Sequence, residues 1–536
     1  MRLPGIINSD DDLLQPVYYY DYAQLGLLFL FTPLKFKLIP QRTIIIMTTK
    51  TFYIATAIPY VNGKPHLGHA ILHLYADVLA RYHRATGDDV LFSSGTDEHG
   101  GKIAEAAEAA GMPPKEFVDG IAATFRKGLK ELGISNDRFI RTTDPAHEQR
   151  SQIIWKNLEK DIYKKAYKAM YCVGCEEFKT DTYVKETNGV CPLHNRKYDE
   201  IEEENYFFAL SKYTEKIKKA IETNAFLVTP KSRKNEILGV INEGLQDISI
   251  SRPSGKISWG IPVPGDPTQV MYVWFEALLN YITVLGYPEH EDFKKYWPAN
   301  VQVIGKDILR FHAAIWPGIL LGLGLPLPKA LYVHGFVTSD GQKMSKSLGN
   351  VVDPLDVVHH YGLDAFRYFF LRYGPTNDDT DFTWERFENA YNNELANELG
   401  NGVQRVLAMV NKYQEGIIGD IPQAGHDMGQ YHTALADYKF DVALSEVWEQ
   451  VRGLNQYIEE EKPWTIAKAG DEDHLREVLA YCAGCLLEIA GLLEPFLPDT
   501  SFKITELLGG GIVKQLPDAG TLFPKIYKYT EAPKRV

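Results

Sequence analysis

The feature that most restricts the fold is a strand-like apolar run that leads, through one turn, into an amphipathic helix. Residues 51–57 are rich in β-forming side chains, and Asn62-Gly63 supplies the turn. From residue 66 to 87 apolar side chains recur at helical spacing, which predicts a helix. Strands and helices are predicted again between about residues 242 and 334. Together the two stretches predict an α/β fold with one doubly wound, Rossmann-like parallel sheet, whose ligand crevice lies at the carboxyl ends of the strands.

The predicted helix begins with paired histidines. His66 and His69 lie in or beside its first turn, and Gly68 stands between them. Backbone N–H groups and the positive end of the helix dipole favour an anion there, and imidazoles add donors for charge that develops in a transition state. Because Gly68 has no side chain, a flat nucleobase can approach the backbone. The motif predicts a nucleotide site, although taken alone it is also typical of an ordinary helix start.

A lysine-rich loop far downstream carries the second candidate site. Residues 341–350 contain Lys343, Ser345 and Lys346 between glycines at both ends, so the loop is free to move. The two lysines supply point charges for phosphates, and a mobile loop can close on a triphosphate. The common phosphate cradles, Gly-x-x-x-x-Gly-Lys-Ser/Thr and a strand-bounded Gly-x-Gly-x-x-Gly, do not occur.

These two motifs resemble, in this order, the HIGH and KMSKS signatures of class I aminoacyl-tRNA synthetases. Four further stretches, residues 57–63, 95–100, 273–277 and 305–312, resemble methionyl-tRNA synthetases. The similarity runs from about residue 51 to about residue 525. It implies ATP-dependent activation of L-methionine to methionyl-adenylate, followed by transfer to the 3′ end of methionine tRNA, both initiator and elongator.

The resemblance also implies roles for individual residues. For catalysis it implies His66, His69, Lys343 and Lys346, with Mg²⁺ sharing the charge of ATP. For ATP binding it implies Gly68, Asp307, Ser345 and Lys346. For methionine, whose thioether needs an apolar and polarisable pocket, it implies Ile58, Tyr60, Asp97, Trp274, Tyr281 and His312. Glu276 departs from the aspartate often found at its position.

Three cysteines and a histidine have the spacing of a structural zinc site. Cys172 and Cys175 form a Cys-x2-Cys pair, and Cys191 and His194 form a Cys-x2-His pair after 15 intervening residues. Four protein ligands fill a tetrahedral ion, so one structural Zn²⁺ is predicted. A Cys172–Cys175 disulfide is the alternative, and a reducing compartment disfavours it. Methionyl-tRNA synthetases commonly carry zinc in an insertion between the sheet halves, and one ligand set resembles their single-zinc form.

Helical periodicity from about residue 363 to 507 predicts an all-α domain. Cys482 and Cys485 lie in its apolar run and are interpreted as buried core thiols. The resemblance implies that this domain reads the anticodon through Asn401, Arg405 and Trp464, since an indole can stack on a base while amide and guanidinium groups bond base edges. Without the resemblance, a helix anchor and a surface charge are the preferred interpretations of Trp464 and Arg405.

The motifs divide the chain into six predicted segments. Residues 1–46 form an N-terminal extension outside the fold, with Met47 as the predicted natural start. The remaining segments are the first catalytic half at 47–121, a connective insertion with the zinc site at 122–239, the second catalytic half at 240–342, the KMSKS loop and linker at 343–362, and the helical anticodon-binding domain with a C-terminal tail at 363–536.

Net charge and hydropathy restrict the kinds of partner that the chain is expected to bind. A formal net charge of −13 argues against indiscriminate nucleic-acid binding. Lysine clusters at 160–168 and 212–219 are candidate basic surfaces, with solvated helix faces as the preferred interpretation. The apolar stretch at 25–31 is too short to span a bilayer, and no targeting segment is evident. A cytoplasmic monomer without a membrane partner is expected.

Two alternatives are less favoured. Leucyl-, isoleucyl- and valyl-tRNA synthetases share the signatures, but they carry an editing insertion longer than the sequence between His69 and Lys343 allows. An inactive tRNA-binding or zinc scaffold protein descended from a synthetase is the alternative outside the enzymes. The intact histidine and lysine pairs argue against it.

Overall fold

The computed structural model describes residues 50–63, 65–175, 177–179, 181–193, 195–339, 341–343, 352–513 and 521–526. The N-terminal extension at 1–46 lies outside the described residues. So do three residues to which the sequence assigns roles, His194, Ser345 and Lys346.

The described chain alternates strands and helices and becomes wholly helical towards its end. The strands are β1 (Thr51–Thr56), β2 (Asp89–Thr96), β3 (Arg138–Arg141), β4 (Ile162–Cys172), β5 (Glu177–Lys179), β6 (Val190–Cys191), β7 (Arg196–Lys197), β8 (Asp199–Phe208), β9 (Leu227–Thr229), β10 (Ile248–Ser249), β11 (Ser251–Pro253), β12 (Pro262–Val263), β13 (Asp266–Met271), β14 (Val301–Gly305), β15 (Ala330–His334), β16 (Val337–Ser339), β17 (Gln342–Lys343) and β18 (Thr380–Phe382).

The helices are α1 (Leu67–Ala85), α2 (Gly101–Ala109), α3 (Pro114–Glu131), α4 (Pro145–Asn157), α5 (Asp181–Glu186), α6 (Thr214–Glu222), α7 (Lys231–Asn242), α8 (Val273–Leu278), α9 (Asn280–Thr283), α10 (Glu291–Tyr296), α11 (Trp316–Gly322), α12 (Pro354–Tyr361), α13 (Leu363–Tyr373), α14 (Trp384–Ala390), α15 (Asn401–Gln414), α16 (Gly429–Ala436), α17 (Phe440–Glu461), α18 (Pro463–Ala469), α19 (Glu472–Leu493) and α20 (Pro498–Leu508). Lys306–Ile308 forms a 3-10 turn, and Phe311–Ile315 and Tyr391–Gly400 are π-helical.

A six-stranded parallel sheet in the order β3-β2-β1-β14-β15-β9 positions the site. Residues 52–56 of β1 are all buried, as expected for a strand covered on both faces. The chain order runs outwards from β1 to β3 and outwards again from β14 to β15, so the topology reverses between β1 and β14. The predicted doubly wound α/β fold is confirmed, and its crevice lies where β1 and β14 end.

The edges of this sheet come from sequence inside the predicted insertion, residues 122–239. The edge strands β3 and β9 have only four and three residues, and both fall within residues 122–239. Strands this short are below the length at which periodicity is a useful signal. The rest of the range contains the antiparallel pair β4 and β8, in register from Ile162 opposite Phe208 to Tyr171 opposite Asp199.

The basic cluster at 160–168 lies on a strand, β4, and not on a helix face as predicted. Lys164 contacts Asp266 at 3.0 Å and Glu204 at 3.3 Å, and Lys168 contacts Glu200 at 3.1 Å. Carboxylates on β8 and β13 therefore offset the charges of Lys164 and Lys168. The second cluster, at 212–219, continues into the amphipathic helix α6.

The predicted all-α domain is confirmed for the described residues after β18. Within the predicted range, however, β18 is a strand that pairs with β16. The helix that contains residues 392–401 begins upstream with α14 and continues through the π-helical segment into α15. Cys482 and Cys485 are buried in α19, as predicted. Among the described residues, no helix is long and apolar enough to span a bilayer.

A buried ion pair joins the helical region to α1. Arg367 of α13 contacts Oδ2 of Asp77 at 2.8 Å, and both side chains are fully buried. Arg367 also donates to the carbonyl oxygens of Phe496 at 2.6 Å and Pro495 at 2.9 Å. Burial alone raises the pKa of Asp77, but the charges of Arg367 and Arg81 outweigh burial and hold it below its usual value.

Candidate functional site

The first turn of α1 is built by the paired histidines themselves. His66 is the N-cap residue, and its Nδ1 accepts the Gly68 N–H at 3.1 Å. Nδ1 of His69 accepts the His66 N–H at 3.3 Å, which completes a reciprocal capping box. The two rings stack with centroids 3.7 Å apart. A β-carbon at Gly68 would lie 3.1 Å from the His66 ring, which is a tight contact, so the absence of a side chain leaves room for this ring position.

The capping bonds determine where the ring protons lie. Because each Nδ1 accepts a backbone N–H, each neutral ring carries its proton on Nε2. The pKa of His69 is lowered well below its usual value, first by burial and then by His66 and His73. A neutral His69 therefore presents an Nε2–H donor beside the positive end of a helix, which suits a phosphate oxygen.

Behind this turn lies a buried histidine that the sequence analysis missed. His73 bonds the carbonyl of His69 at 2.6 Å through Nδ1 and the hydroxyl of Ser94 at 2.8 Å through Nε2. Burial lowers its pKa to about 4. Its position four residues after His69 on an apolar helix face was the available signal. His73 ties the histidine turn to β2.

The lysine loop begins at the same edge of the sheet. β1, β14 and β15 are parallel neighbours, so the chain segments that follow them emerge on one side. β1 leads towards α1, and β15 leads into β16, whose Thr338 lies opposite Lys343 of β17. The backbone of Lys343 is thus placed near the strand ends. Ser345 and Lys346 lie outside the described residues.

Two backbone bonds bring together the first part of the predicted methionine pocket. Val61 N–H donates to the Asp97 carbonyl at 3.1 Å, and Asp97 N–H donates to the Pro59 carbonyl at 2.8 Å. Tyr60 and Asp97 form an isolated parallel bridge, so Ile58, Tyr60 and Asp97 lie in adjacent segments. Asp97 is 3% exposed.

The second part of the pocket is aromatic and uncharged. Trp274 stacks on Phe311 with centroids 4.1 Å apart. Nδ1 of His312 donates to the Ile308 carbonyl at 3.0 Å, so Nε2 accepts the Tyr281 hydroxyl at 2.8 Å. Burial lowers the pKa of His312 to about 4 and raises that of Tyr281. Both groups are therefore neutral at pH 7, as a thioether pocket requires.

A buried histidine–glutamate–histidine cluster adjoins the pocket and was not predicted. The carboxylate of Glu276 accepts from Nδ1 of His99 and from Nε2 of His147, both at 2.9 Å. All three side chains are at most 4% exposed. Burial alone lowers the pKa of His99, but Glu276, Glu148 and Asp97 raise it to about 10. His99 is therefore cationic at pH 7, two residues from Asp97.

Three of the four predicted zinc ligands lie together. The sulfur atoms of Cys172, Cys175 and Cys191 are within 4.8 Å of one another, and Cys175 and Cys191 are 3.6 Å apart. A tetrahedral ion with Zn–S bonds of about 2.3 Å places its sulfurs about 3.8 Å apart. Cys172 and Cys175 are not joined by a disulfide. The cluster therefore has the geometry to bind zinc, while His194 lies outside the described residues.

An open cleft of about 700 Å³ lies among the helices after residue 390. Asn401 and Arg405 of α15 line it, and Arg405 pairs with Glu459 across it at 2.6 Å. The other lining residues are Asn397, Glu398, Gln404, Ala408, Arg452, Asn455 and Gln456. Trp464 is half-buried on α18, which packs against α15.

Comparison with known proteins agrees with this geometry. A family model for class I tRNA synthetases (M) matches residues 52–407. The methionine–tRNA ligase of Caldanaerobacter subterraneus is 44% identical over 86% of this chain and 74% of its own length. That of Streptomyces coelicolor is 43% identical over 86% of this chain and 90% of its own length.

A solved structure of Mycobacterium tuberculosis methionyl-tRNA synthetase in complex with methionyl-adenylate superposes with a TM-score of 0.83. It is 36% identical and covers 89% of this chain and all of its own. The fold and the histidine site thus define a class I aminoacyl-tRNA synthetase. Within that class, the chain belongs to the methionyl-tRNA synthetase family.

Proposed function

We propose that this protein is a methionine–tRNA ligase that activates L-methionine with ATP and transfers it to the 3′ end of initiator and elongator methionine tRNA. The observation that carries the proposal is the stacked histidine pair at the first turn of α1. The neutral Tyr281–His312 pair supports the methionine part of the proposal. The names of the relatives support it. The intact pair disfavours an inactive scaffold.

Activation needs no covalent enzyme intermediate. The carboxylate of methionine attacks the α-phosphate of ATP, and pyrophosphate leaves. Nε2–H groups of His66 and His69 stabilise the charge that develops on the α-phosphate. Lys343 and Lys346 neutralise the outer phosphates, and ATP enters as its Mg²⁺ complex. The terminal hydroxyl of the tRNA then attacks the carbonyl carbon of methionyl-adenylate, which forms the ester and releases AMP.

The pocket positions the amino acid for that attack. Asp97 binds the methionine ammonium, and Ile58, Tyr60, Trp274, Tyr281 and His312 surround the thioether. Gly68 lets the base approach α1, Asp307 binds the ribose, and Ser345 joins the lysines on the phosphates. Holding both substrates in line removes much of the entropic part of the barrier.

Replacing His69 with alanine tests this assignment. We expect kcat of methionine-dependent pyrophosphate exchange to fall about 10²–10³-fold with little change in KM for ATP, because the lost donor acts mainly in the transition state. His83→Ala, at the opposite end of α1, is the matched control and is expected to retain the rate. Unaltered turnover in His69→Ala would remove it from the mechanism. Aminoacylation assays with all twenty amino acids test the substrate.

The zinc site is proposed to hold one structural Zn²⁺ on Cys172, Cys175, Cys191 and His194. Such an ion cross-links the segment that carries Cys172 and Cys175 to the segment that carries Cys191 and His194, and it has no open position for substrate. Lys102 of α2 bonds the carbonyl of Gly174, which lies between Cys172 and Cys175. Because α2 begins directly after the Asp97 turn, the cluster supports the methionine side of the site.

We also propose that the cleft on α15 binds the anticodon through Asn401 and Arg405, with Trp464 as a stacking surface. Its size and its amide and guanidinium lining suit unstacked bases. Residues 363–536 then form the anticodon-binding domain, and residues 47–121 and 240–342 the catalytic halves. Because β3 and β9 belong to the catalytic sheet, we extend these halves to about 47–141 and 227–342, which leaves a narrower insertion of about 142–226. A monomeric state and a cytoplasmic location stay predictions.

Arg405→Ala is expected to raise KM for methionine tRNA about 10–100-fold, because one base contact is lost. Pyrophosphate exchange, which needs no tRNA, is expected to stay unchanged. Arg476→Ala on α19 is the matched control, since Arg476 is 60% exposed and pairs with Asp473. An unchanged KM for tRNA in Arg405→Ala, measured by aminoacylation, would contradict the anticodon assignment.

A further inference from the structure

A buried ring nitrogen at the end of β15 has no hydrogen-bond partner among the residues that the structure describes. His334 is 5% exposed, and its Nδ1–H donates to the Gly335 carbonyl at 2.7 Å. That bond leaves Nε2 with a lone pair and no proton. Nε2 is the unsatisfied atom. Buried polar atoms normally have a partner, so this one calls for a donor that is not part of the described chain.

The charge state of His334 makes Nε2 an acceptor only. Burial lowers its pKa to about 4. The ring is neutral at pH 7. A group that binds Nε2 must therefore supply a hydrogen, as a hydroxyl or an amine does. Phosphate oxygens are acceptors at this pH and are excluded.

The position of His334 restricts the donor further. His334 ends β15 and lies opposite Gly305, the last residue of β14. A β-carbon at Gly305 would lie 3.9 Å from Nε2 of His334 and 2.8 Å from Oδ1 of Asp307. The missing side chain of Gly305 thus leaves space that both groups border. This space lies at the carboxyl ends of two central strands, where doubly wound sheets bind nucleotides.

We propose that Nε2 of His334 accepts a hydrogen bond from a ribose hydroxyl of ATP, and that this bond makes the enzyme select ribonucleotides over deoxynucleotides. The proposal rests on the ATP site proposed above. The nucleoside of ATP offers two kinds of donor, the ribose hydroxyls and the adenine amine. Asp307, the proposed ribose ligand, borders the same space at Gly305, so the ribose is the source to which we commit.

The expected selectivity for ATP over its deoxy analogues arises because a bound deoxy analogue leaves the buried Nε2 atom of His334 without a hydrogen-bond donor. A site built to bond a hydroxyl rejects an analogue that lacks it, because the buried acceptor loses its partner. We expect wild type to show a penalty of about 10–100-fold in kcat/KM for either 2′-deoxy-ATP or 3′-deoxy-ATP. The analogue whose penalty disappears when His334 is replaced identifies the hydroxyl that bonds Nε2, because a bond to Asp307 would persist in that variant.

The test is methionine-dependent pyrophosphate exchange with ATP, the two deoxy analogues and purine riboside triphosphate, which lacks the amine. His334→Phe keeps a ring and removes the acceptor, so the deoxy penalty is expected to fall to less than about threefold. His334→Gln retains an acceptor oxygen and is expected to keep most of the penalty. The penalty for purine riboside triphosphate is expected to stay the same in all three proteins.

Several results would overturn the proposal. If wild type uses both deoxy analogues as well as ATP, the proposal is wrong, and no variant is needed to show it. Penalties that persist unchanged for both deoxy analogues in His334→Phe would also overturn it. If His334→Phe instead removes the penalty for purine riboside triphosphate, then Nε2 bonds the adenine amine and not the ribose. Failure of wild type to exchange with ATP itself would count against the proposed function, which is a different result.

A measurement on the unmodified protein keeps the proposal testable if the variants do not fold. In a crystal structure of wild type with ATP and methionine, a ribose hydroxyl is expected within about 3.2 Å of Nε2. A water molecule or the adenine amine at that position would refute the ribose contact.

Discussion

Glu276→Ala is expected to lower the free energy of unfolding by about 3–5 kcal/mol at pH 7, because it leaves a buried cation without its counter-charge. His99 and His147 both depend on the Glu276 carboxylate, and neither side chain is more than 4% exposed. Urea denaturation of the two proteins measures the difference. Glu148→Gln is the matched control. Glu148 lies 3.6 Å from His99 but is 42% exposed, so its loss is expected to cost less than about 1 kcal/mol.

The effect of Glu276 depends on pH in a defined direction. The pKa of His99 is raised in the folded state to about 10 from 6.5, so its stabilisation is fully present below pH 6.5 and is lost as the pH rises through 10. The pKa of Glu276 is lowered, so its part is present above about pH 4.5 and is lost in more acidic solution. The difference between wild type and Glu276→Gln is therefore expected to be largest near pH 5–6 and to shrink towards pH 10. A difference that grows above pH 7 would contradict this account.

The cluster of His99, His147 and Glu276 is also expected to affect methionine binding. Glu276 lies two residues after Trp274 on α8, and His99 lies two residues after Asp97, so both sides of the proposed methionine pocket are attached to it. Glu276→Gln is therefore expected to raise KM for methionine more than KM for ATP. Glu276→Asp restores the charge with a shorter reach and is expected to recover part of the loss.

The sequence predicts well whatever is encoded within a short segment. His66 and His69 build the first turn of α1 with bonds that span two and three residues, and Cys172 and Cys175 are brought together by one turn of chain. The spacing of these residues in the sequence is therefore enough to place the histidines at a helix start and the two cysteines side by side. The parallel sheet is predictable for the same reason, since its central strands are individually apolar and buried.

Groups joined across the fold leave no comparable local signal. Glu276 is separated from His99 by 177 residues and from His147 by 129. In the sequence, each of the three looks like an ordinary polar residue. The tertiary structure shows that both histidines bond the same buried carboxylate, that of Glu276. His334 was missed for another reason. Its importance depends on the unsatisfied state of Nε2 beside Gly305, which is a property of packing and not of sequence.

Arg367→Met is the second substitution with a large expected effect, about 3–5 kcal/mol of lost stability. Methionine fills much of the volume of the arginine stem, but the buried Asp77 carboxylate then keeps Arg81 as its one ion-pair partner among the described residues. The carbonyl oxygens of Pro495 and Phe496 also lose their donors. Arg81→Met is the matched control, because Arg81 is 24% exposed and its loss leaves the buried Arg367 pair in place. It is expected to cost clearly less in the same urea titration.

The double variant Asp77→Asn, Arg367→Met separates the two sources of that loss. If the cost of Arg367→Met comes mainly from the uncompensated Asp77 carboxylate, removing that charge recovers part of the stability even though a second native residue is gone. Asp77 lies on the same helix as the histidine pair, so this ion pair helps to hold helix α1 to the helical region, together with apolar packing and the bond between Tyr82 and His432. A double variant less stable than Arg367→Met would show that the bonds to Pro495 and Phe496, and not the buried charge, are what Arg367 contributes.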